Sequence, residues 1–326
     1  MSDLALASFA AANDAHHVDE PRSARFARFR ESFDERAELE RLQEQGYRFV
    51  GRSDSGFPPL LRAIHDPPPG LFLRGAAPVE LLARPAVAIV GARACSPYGR
   101  QVARRLGREL AGAGLVVLSG MARGVDAEAH RGALDREGVT VAVLGCGIDR
   151  DYPAAHATLA RQIVERGLVV SEYAPGVEPA PWRFPARNRI IAGLCAATAV
   201  VEARERSGAL ISADFALEEG REVFAVPGEI TSALSAGSNA LLRLGATPLT
   251  AADDVLEAYG IVAPPIEAPA VSDEAAVVLE RVRGAAASAD ELARASGLDA
   301  GRLAAVVTEL ELAGLVSVEE GLIRAG

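Results

Sequence analysis

Residues 87–144, VAIVGARACSPYGRQVARRLGRELAGAGLVVLSGMARGVDAEAHRGALDREGVTVAVL, decide the fold of this chain. Three short runs rich in Val and Ile, at Val87–Val90, Leu115–Leu118 and Val139–Leu144, have the length and composition of strands buried on both faces. The two stretches between these runs carry apolar residues at helical spacing. This alternation predicts an α/β fold, in which a parallel sheet is covered by helices on both faces.

The same alternation continues beyond Leu144 and defines the main domain. Further buried strands are predicted at Leu168–Ser171, Thr198–Val201 and Glu222–Val226, with helical stretches between them. Phe72-Leu73 is predicted to add an edge strand. Residues 46–260 are therefore predicted to form one α/β domain.

Two segments of different character flank this domain. Residues 1–45 predict a small N-terminal helical region, in which Leu39 and Leu42 could face a core. Residues 261–270 are rich in proline and predict a linker. Residues 271–326 combine a helix-turn-helix pattern with a short hairpin, which is typical of a winged-helix domain.

The charge of this winged-helix segment bears on its role. DNA binding is the obvious function for the pattern. However, the predicted recognition helix has Arg302 as its only basic residue and carries Glu309 and Glu311. Helices that read the major groove are normally basic. The sequence therefore favours protein contact or packing for this domain and leaves DNA binding as the alternative.

Glycine and arginine follow two of the predicted strands of the main domain. Gly91 and Arg93 come after the first strand, and Ser119, Gly120 and Arg123 come after the second. Open α/β sheets bind ligands at the carboxyl ends of their strands. Glycine lets a backbone approach an anion, and helix N-termini offer free N–H groups. The sequence therefore predicts an anion-binding site at this edge of the sheet.

Composition excludes several classes of protein. The 326-residue chain contains no lysine, which excludes a P-loop and a Schiff-base mechanism. The H-E-x-x-H, G-x-S-x-G and G-x-G-x-x-G motifs are absent, and we predict no metal and no cofactor. The net charge of −10 argues against nucleic acid, but residues 84–131 hold eight arginines against three acidic residues, a balance of 8 − 3 = +5.

Cysteine usage and hydropathy predict the location of the protein. Cys95, Cys146 and Cys195 are odd in number and far apart, which fits neither a disulfide framework nor a zinc site. We expect reduced core thiols and a cytoplasmic protein. No apolar run reaches the roughly 18 residues that a membrane span needs, so we expect no membrane association.

Seven segments carry a resemblance to a known family. In chain order they are GARACSPYGR, LSGMARGVDAEAHRGAL, VLGCGIDRDYP, SEYAPGVEP, FPARNRIIAGL, VVEARERSGALISADFALEEGREVFAVPG and GSNALLRLGA. On these segments the chain resembles the DNA-processing protein A family (DprA, also called Smf) over roughly residues 47–249. The tail resembles the winged-helix domain of many members. One departure is that residues 1–45 lack the Gly-Ile-Gly turn of the small SAM-like domain with which members often begin.

The resemblance implies a function. It implies an extended Rossmann-like domain that binds single-stranded DNA. We predict no enzyme activity. The resemblance also implies protection of incoming DNA and loading of the RecA recombinase onto it during natural transformation, with displacement of single-strand-binding protein. Finally, it implies a homodimer.

The residues give this DNA binding a physical basis, because single strands are held by positive grooves and by bases stacked on flat side chains. Arg93 offers a bidentate phosphate ligand, and the backbone N–H groups around Gly91, Ser119 and Gly120 could cradle a second phosphate. The start of a predicted helix brings Arg187, Asn188 and Arg189 together. The full set of predicted DNA contacts is Gly91, Arg93, Ser119, Gly120, Arg123, Trp182, Arg183, Phe184, Arg187, Asn188, Arg189, Ser207 and Gly208.

Several of these residues also have purely structural interpretations. Trp182 and Phe184 could stack on bases or anchor the proline-rich loop before them. Arg189 could contact DNA or pair with Glu202 or Glu172. Ser207 with Gly208 could be only a helix cap.

A homodimer interface is predicted late in the main domain. Ile230, Leu234, Leu241 and Leu242 lie in a segment that is unusually apolar for a surface edge. The resemblance favours an interface here. The alternative is that all four side chains fold back onto the sheet.

Two other functions remain open. Nucleotide N-glycosidases of the LOG type share a related sheet, but they depend on a Pro-Gly-Gly-x-Gly-Thr-x-x-Glu loop that this chain lacks. Glu202 with Arg204 is the nearest acid–base candidate for such chemistry. The other possibility is an adaptor, in which the sheet is a platform and the winged helix binds proteins.

Overall fold

The computed structural model describes residues 2–13, 23–262, 271–319 and 321–325. The chain divides into two compact units, residues 1–262 and residues 263–326. The predicted linker falls largely outside the described residues, because only residues 261 and 262 of it are described.

The first unit is built on a sheet to which nine strands of the described chain contribute. The strands are β1 (Arg48–Gly51), β2 (Gly70–Arg74), β3 (Ala86–Val90), β4 (Val116–Ser119), β5 (Thr140–Val143), β6 (Leu168–Ser171), β7 (Ala197–Val200), β8 (Glu222–Ala225) and β9 (Thr247–Pro248). Their order is β1-β2-β6-β5-β4-β3-β7-β8-β9, and all neighbours from β6 to β9 are parallel. This confirms the predicted α/β fold.

Phe72 and Leu73 lie in β2, which joins the main sheet antiparallel to β6. The prediction of an edge position is wrong, because β1 pairs antiparallel with the other side of β2 and becomes the edge. The bulky aromatic ring of Phe49 in β1 packs against Phe72, with 4.9 Å between the ring centroids.

Helices of the first unit connect and cover the strands. They are α1 (Asp3–Asn13), α2 (Ala24–Ser32), α3 (Glu35–Glu44), α4 (Pro59–Arg62), α5 (Pro97–Gly112), α6 (Val125–Asp135), α7 (Ala157–Arg166), α8 (Arg183–Gly193), α9 (Gly208–Glu218), α10 (Ala236–Arg243) and α11 (Ala252–Ala258). Pro59 is the first residue of α4. The first turn has no use for the missing N–H, so proline is tolerated there.

Successive side chains of a strand pack into two separate cores, one on each face of the sheet. This explains why the strand sequences are continuously apolar. In β5, Val141 and Val143 pack with a cluster that includes Ile190 of α8. Ala142 between them packs with a cluster that includes Leu159 of α7. Side chains alternate between the faces of a strand, so a strand covered on both faces must be apolar throughout.

The N-terminal helices pack on the first unit. Leu4 of α1 and Leu42 of α3 are buried in the core that contains Phe72. The Asp3 carboxylate accepts a hydrogen bond of 2.7 Å from the backbone N–H of Ser53. Leu42 therefore faces a core as expected, whereas Leu39 is 43% exposed and does not.

The second unit is a winged helix. Its elements are α12 (Asp273–Gly284), β10 (Ala287–Ser288), α13 (Ala289–Ser296), α14 (Ala300–Leu312), β11 (Val316–Glu319) and β12 (Leu322–Ala325). Ser288 caps α13 and Asp299 caps α14, and each side chain accepts a hydrogen bond from a backbone N–H of the first turn. On α14, Arg302 is paired with Glu274 at 2.8 Å, so the single basic residue of this helix already has an acidic partner.

The three cysteines are free and buried, which confirms the prediction of unpaired core thiols. Among the helices that the structure describes, none combines the length and hydropathy required to cross a bilayer.

Candidate nucleic-acid interface

The strand order reverses beside β3, and a cavity of about 390 Å³ lies at that point. Strands β4, β5 and β6 follow on one side of β3, whereas β7, β8 and β9 follow on the other. The cavity is lined by residues 90–94 at the end of β3 and by Arg204 and residues 206–209 after β7. Loops diverge where the order of parallel strands reverses, which is why open α/β sheets bind ligands there.

A second cavity of about 360 Å³ adjoins the first along the ends of β4 and β5. The two cavities share Arg93, Phe184 and Arg187 as lining residues. Arg123 and Tyr152 line only the second cavity. Together the cavities form a continuous depression, which we call the cleft.

Exposed arginines surround the cleft. Arg93, Arg204 and Arg206 line the first cavity, and Arg123 lines the second. All four side chains are exposed, and no carboxylate of the described residues forms a salt bridge with them. Their guanidinium groups are therefore available to phosphate oxygens, which arginine binds in a bidentate manner.

The loop after β4 does not offer the phosphate cradle that was predicted from Ser119 and Gly120. The Ser119 hydroxyl is buried and donates to the carbonyl of Ile89 at 2.6 Å. The backbone N–H groups of Gly120 and Ala122 both donate to the Asp126 carboxylate at 3.2 Å. A side chain of the protein thus occupies the position that an anion would take, so this part of the prediction is wrong.

Asp126 and Arg187 form the polar floor of the cleft. Burial raises the pKa of Asp126, and burial also lowers the pKa of Arg187, although each charge stabilises the other. Arg187 donates to the carbonyls of Gly120, at 2.7 Å, and of Val143. It therefore ties the ends of β4 and β5 to α8, and its charge lies beneath the cleft rather than on its rim.

The residues Arg187, Asn188 and Arg189 do not lie at a helix start. Helix α8 begins at Arg183, so these residues occupy its second turn, away from the positive end of the helix dipole. Asn188 donates to the carbonyl of Gly208 at 3.1 Å, which connects α8 to α9.

Arg189 belongs to a buried ion pair. Its guanidinium donates twice to the Glu172 carboxylate at 2.7 Å and pairs with Asp66 at 3.0 Å. Burial would lower the pKa of Arg189, but the charge of Glu172 outweighs it and the pKa is raised. The predicted DNA contact by Arg189 is wrong, because its guanidinium is committed to these carboxylates and it lines neither cavity.

Aromatic rings are divided between the cleft and its surroundings. Phe184 stacks on Tyr152 with 5.1 Å between centroids and lies 5.7 Å from the Arg93 guanidinium carbon. Trp182 is 45% exposed but lines neither cavity. The buried Arg183 guanidinium lies against the rings of both Trp182 and Tyr173. Phe184 thus belongs to the cleft, and Trp182 lies outside it.

Comparison with known proteins identifies the family. The family model of DNA recombination-mediator protein A matches residues 48–260, and that of the DprA winged helix domain matches residues 262–321. The chain belongs to the DNA-processing protein A family. The match thereby confirms the resemblance read from the seven segments.

Relatives and solved structures agree with this DprA assignment. A DNA processing protein DprA of Mycobacterium tuberculosis is 40% identical over 312 residues, which cover 89% of this chain and 80% of the relative. The DprA of Streptococcus pneumoniae is 46% identical over 206 residues, covering 63% and 72% of the two chains. The X-ray structure of S. pneumoniae DprA matches with a TM-score of 0.67 and 39% identity, covering 78% of this chain and 92% of that one.

A further solved structure concerns the single-stranded DNA binding mode of DNA processing protein A from Helicobacter pylori. It matches this DprA-family chain with a TM-score of 0.59 and 31% identity, covering 65% of this chain and 95% of that one.

The four residues of the predicted dimer interface do not form one surface in this DprA-family chain. Leu241 is only 5% exposed and lies in the core, and Leu242 packs against that core. Leu234 lines the first cavity. Only Ile230, at 96% exposure, is presented to solvent. The prediction of a continuous patch is wrong, because one face of the amphipathic helix α10 packs on the sheet.

Sequence reasoning missed Arg204, Arg206 and Tyr152 as members of the cleft. Both arginines lie in the loop that follows β7, so the rule that pointed to Arg93 after β3 could have found them. Tyr152 had no such signal, because only the tertiary structure brings it to Phe184.

Proposed function

We propose that this protein binds single-stranded DNA in the cleft and processes it during natural transformation. The observation that carries the proposal is the row of exposed arginines, Arg123, Arg93, Arg204 and Arg206, along two adjoining cavities. Membership of the DprA family and the likeness to the H. pylori structure support it.

The cleft suits a single strand better than a duplex. Arginines in a groove bind the phosphates of a single strand, and an exposed aromatic side chain such as Tyr152 accepts an unstacked base. A duplex keeps its bases stacked and cannot present them to this ring. Competition between single and double strands at matched salt tests the preference, and equal affinity for both would contradict it.

Replacing Arg93 by alanine should weaken binding of single strands. The variant loses a charge-assisted phosphate contact worth roughly 1.5–3 kcal/mol, which corresponds to about tenfold or more in the dissociation constant. Fluorescence anisotropy with a labelled oligonucleotide measures the change. Arg105→Ala is the matched control, since Arg105 lies on α5, pairs with Glu109 at 2.9 Å and lines neither cavity of the cleft. An unchanged constant for folded Arg93→Ala would remove Arg93 from the DNA site.

We further propose that the protein protects incoming DNA in the cytoplasm and loads RecA onto it, with displacement of single-strand-binding protein. Family membership supports this role. The ATPase activity of RecA on single strands coated with single-strand-binding protein is the test. Addition of this protein should shorten the lag before ATP hydrolysis, and the Arg93→Ala variant should restore part of that lag.

We propose that the cleft has no catalytic function. Glu202, the nearest acid–base candidate, accepts hydrogen bonds from the backbone N–H of Ser96 at 2.9 Å and from its hydroxyl at 2.5 Å. It is 4% exposed and does not line the cleft, so it cannot reach a bound nucleotide. Release of free base from nucleoside monophosphates, followed by chromatography, would contradict the proposal.

We propose that the protein forms a homodimer through the surface around Ile230. Exposure of a large apolar side chain, Ile230 at 96%, supports an interface there. Ile230→Glu should give a folded monomer by light scattering, and Ile230→Ala should remain a dimer with weaker association. A dimer mass that persists in Ile230→Glu places the interface elsewhere.

A further inference from the structure

The first cavity carries more positive charge than an interior phosphate of DNA requires. Arg93, Arg204 and Arg206 line this single cavity and are all exposed. An interior phosphodiester has one negative charge, whereas a terminal phosphate monoester has a charge of roughly −1.5 to −2 at pH 7. Three arginines around one cavity therefore match a monoester better than a diester.

The acidic residues nearby do not cancel this charge. Asp126 is the only carboxylate among the described residues that line the cavity, and it is 6% exposed and faces Arg187. Glu205 lies between the two arginines in sequence but does not line the cavity. Glu202 is engaged by Ser96.

The positive end of the α9 dipole lies at the same place. Ser207 caps this helix by accepting from the N–H of Ala209, and Ser207, Gly208 and Ala209 all line the cavity. A methyl group at Gly208 would meet no atom within 4 Å, and its φ lies outside the left-handed region. Neither packing nor backbone conformation requires glycine there. Its missing side chain leaves the positive end of the helix open to an anion.

The second cavity has fewer arginines and more aromatic side chains than the first. It contributes Arg123 and the stacked pair of Tyr152 and Phe184, and it shares Arg93 with the first cavity. One added arginine and two aromatic rings suit an interior nucleotide, whose base stacks while its diester needs a single charge. The two cavities thus divide the cleft into a part rich in charge and a part rich in aromatic surface.

We propose that the first cavity binds a phosphate monoester on a nucleotide, so that the protein recognises the phosphorylated end of a single strand. This inference rests on the proposed binding of single-stranded DNA in the cleft. The monoester can come from a 5′ end, a 3′ end or a free nucleotide, and all three present the same dianion.

The test compares short deoxythymidine oligonucleotides that carry a 5′-phosphate, a 3′-phosphate or hydroxyl groups at both ends. Anisotropy with the full chain should give about tenfold tighter binding for one phosphorylated oligonucleotide, the effect of one charge-assisted contact. The position of the phosphate that tightens binding, 5′ or 3′, identifies the end of the strand that the cavity recognises. Competition by dTMP but not by thymidine extends the site to free nucleotides. The gain should shrink below about pH 6, because the monoester dianion takes up one proton there and becomes a monoanion.

Variants separate this proposal from general DNA binding. Arg204→Ala and Arg206→Ala should abolish most of the gain from the end phosphate. Arg123→Ala, in the second cavity, should weaken all the oligonucleotides by the same factor and keep the gain. If the protein binds the phosphorylated and the hydroxyl oligonucleotides with equal dissociation constants, the proposed end recognition is wrong, but the proposed binding of single strands stands. Loss of binding to every oligonucleotide overturns the proposed function itself.

Discussion

Replacing Glu172 by alanine is expected to destabilise the protein by about 3–5 kcal/mol, because it leaves a buried arginine without its main partner. The side chains of Arg189 and Glu172 are only 10% and 2% exposed, and two hydrogen bonds of 2.7 Å join them. Asp66 remains as a second, more exposed partner of Arg189 at 3.0 Å. We therefore expect the loss of unfolding free energy to lie towards the lower end of this range. Urea unfolding followed by circular dichroism measures the difference.

The matched control for this prediction is Glu178→Ala. Glu178 pairs with Arg150 at 2.5 Å, but its side chain is 73% exposed. Exposed pairs contribute only about 0–1 kcal/mol, so this variant should unfold nearly like the parent chain. Equal stability of the Glu172→Ala and Glu178→Ala variants would contradict the role of the buried pair. Because Arg189 lies outside both cavities, folded Glu172→Ala should bind single strands with an unchanged dissociation constant.

Replacing Leu241 by alanine is expected to cost about 2–5 kcal/mol of unfolding free energy, because it removes a buried side chain and leaves a cavity. Leu241 is 5% exposed in the core that α10 shares with the sheet. Leu244, one turn away and 82% exposed, gives the control. Leu244→Ala should change stability by no more than about 0.5 kcal/mol. Similar midpoints of urea unfolding for the two variants would show that α10 does not pack as described.

The burial of Leu241 also decides where the proposed dimer can be tested. A charge at position 241 enters the core and unfolds the chain, so loss of a dimer in such a variant carries no information about an interface. Ile230 is the suitable position, since it is exposed and its replacement leaves the core intact.

The sequence by itself determined the architecture of this protein. The spacing of apolar runs between Val87 and Val226 predicts the parallel strands, because a strand covered on both faces has to be apolar at every position. The rule that ligands bind at strand ends correctly placed Gly91 and Arg93 beside a cavity. The capping roles of Ser288 and Asp299 can also be predicted from the sequence, because capping depends only on neighbouring residues.

Only the tertiary structure decided which polar residues remain available to a ligand. The sequence predicts Arg93 and Arg189 alike as DNA contacts, but it does not show that Glu172 pairs with Arg189 while Arg93 stays exposed. The sequence likewise does not show that the Asp126 carboxylate accepts hydrogen bonds from the N–H groups of Gly120 and Ala122. These pairings join residues from different elements of the chain. A polar group that is buried must find a partner within the protein, and only the packing of those elements determines which groups are buried.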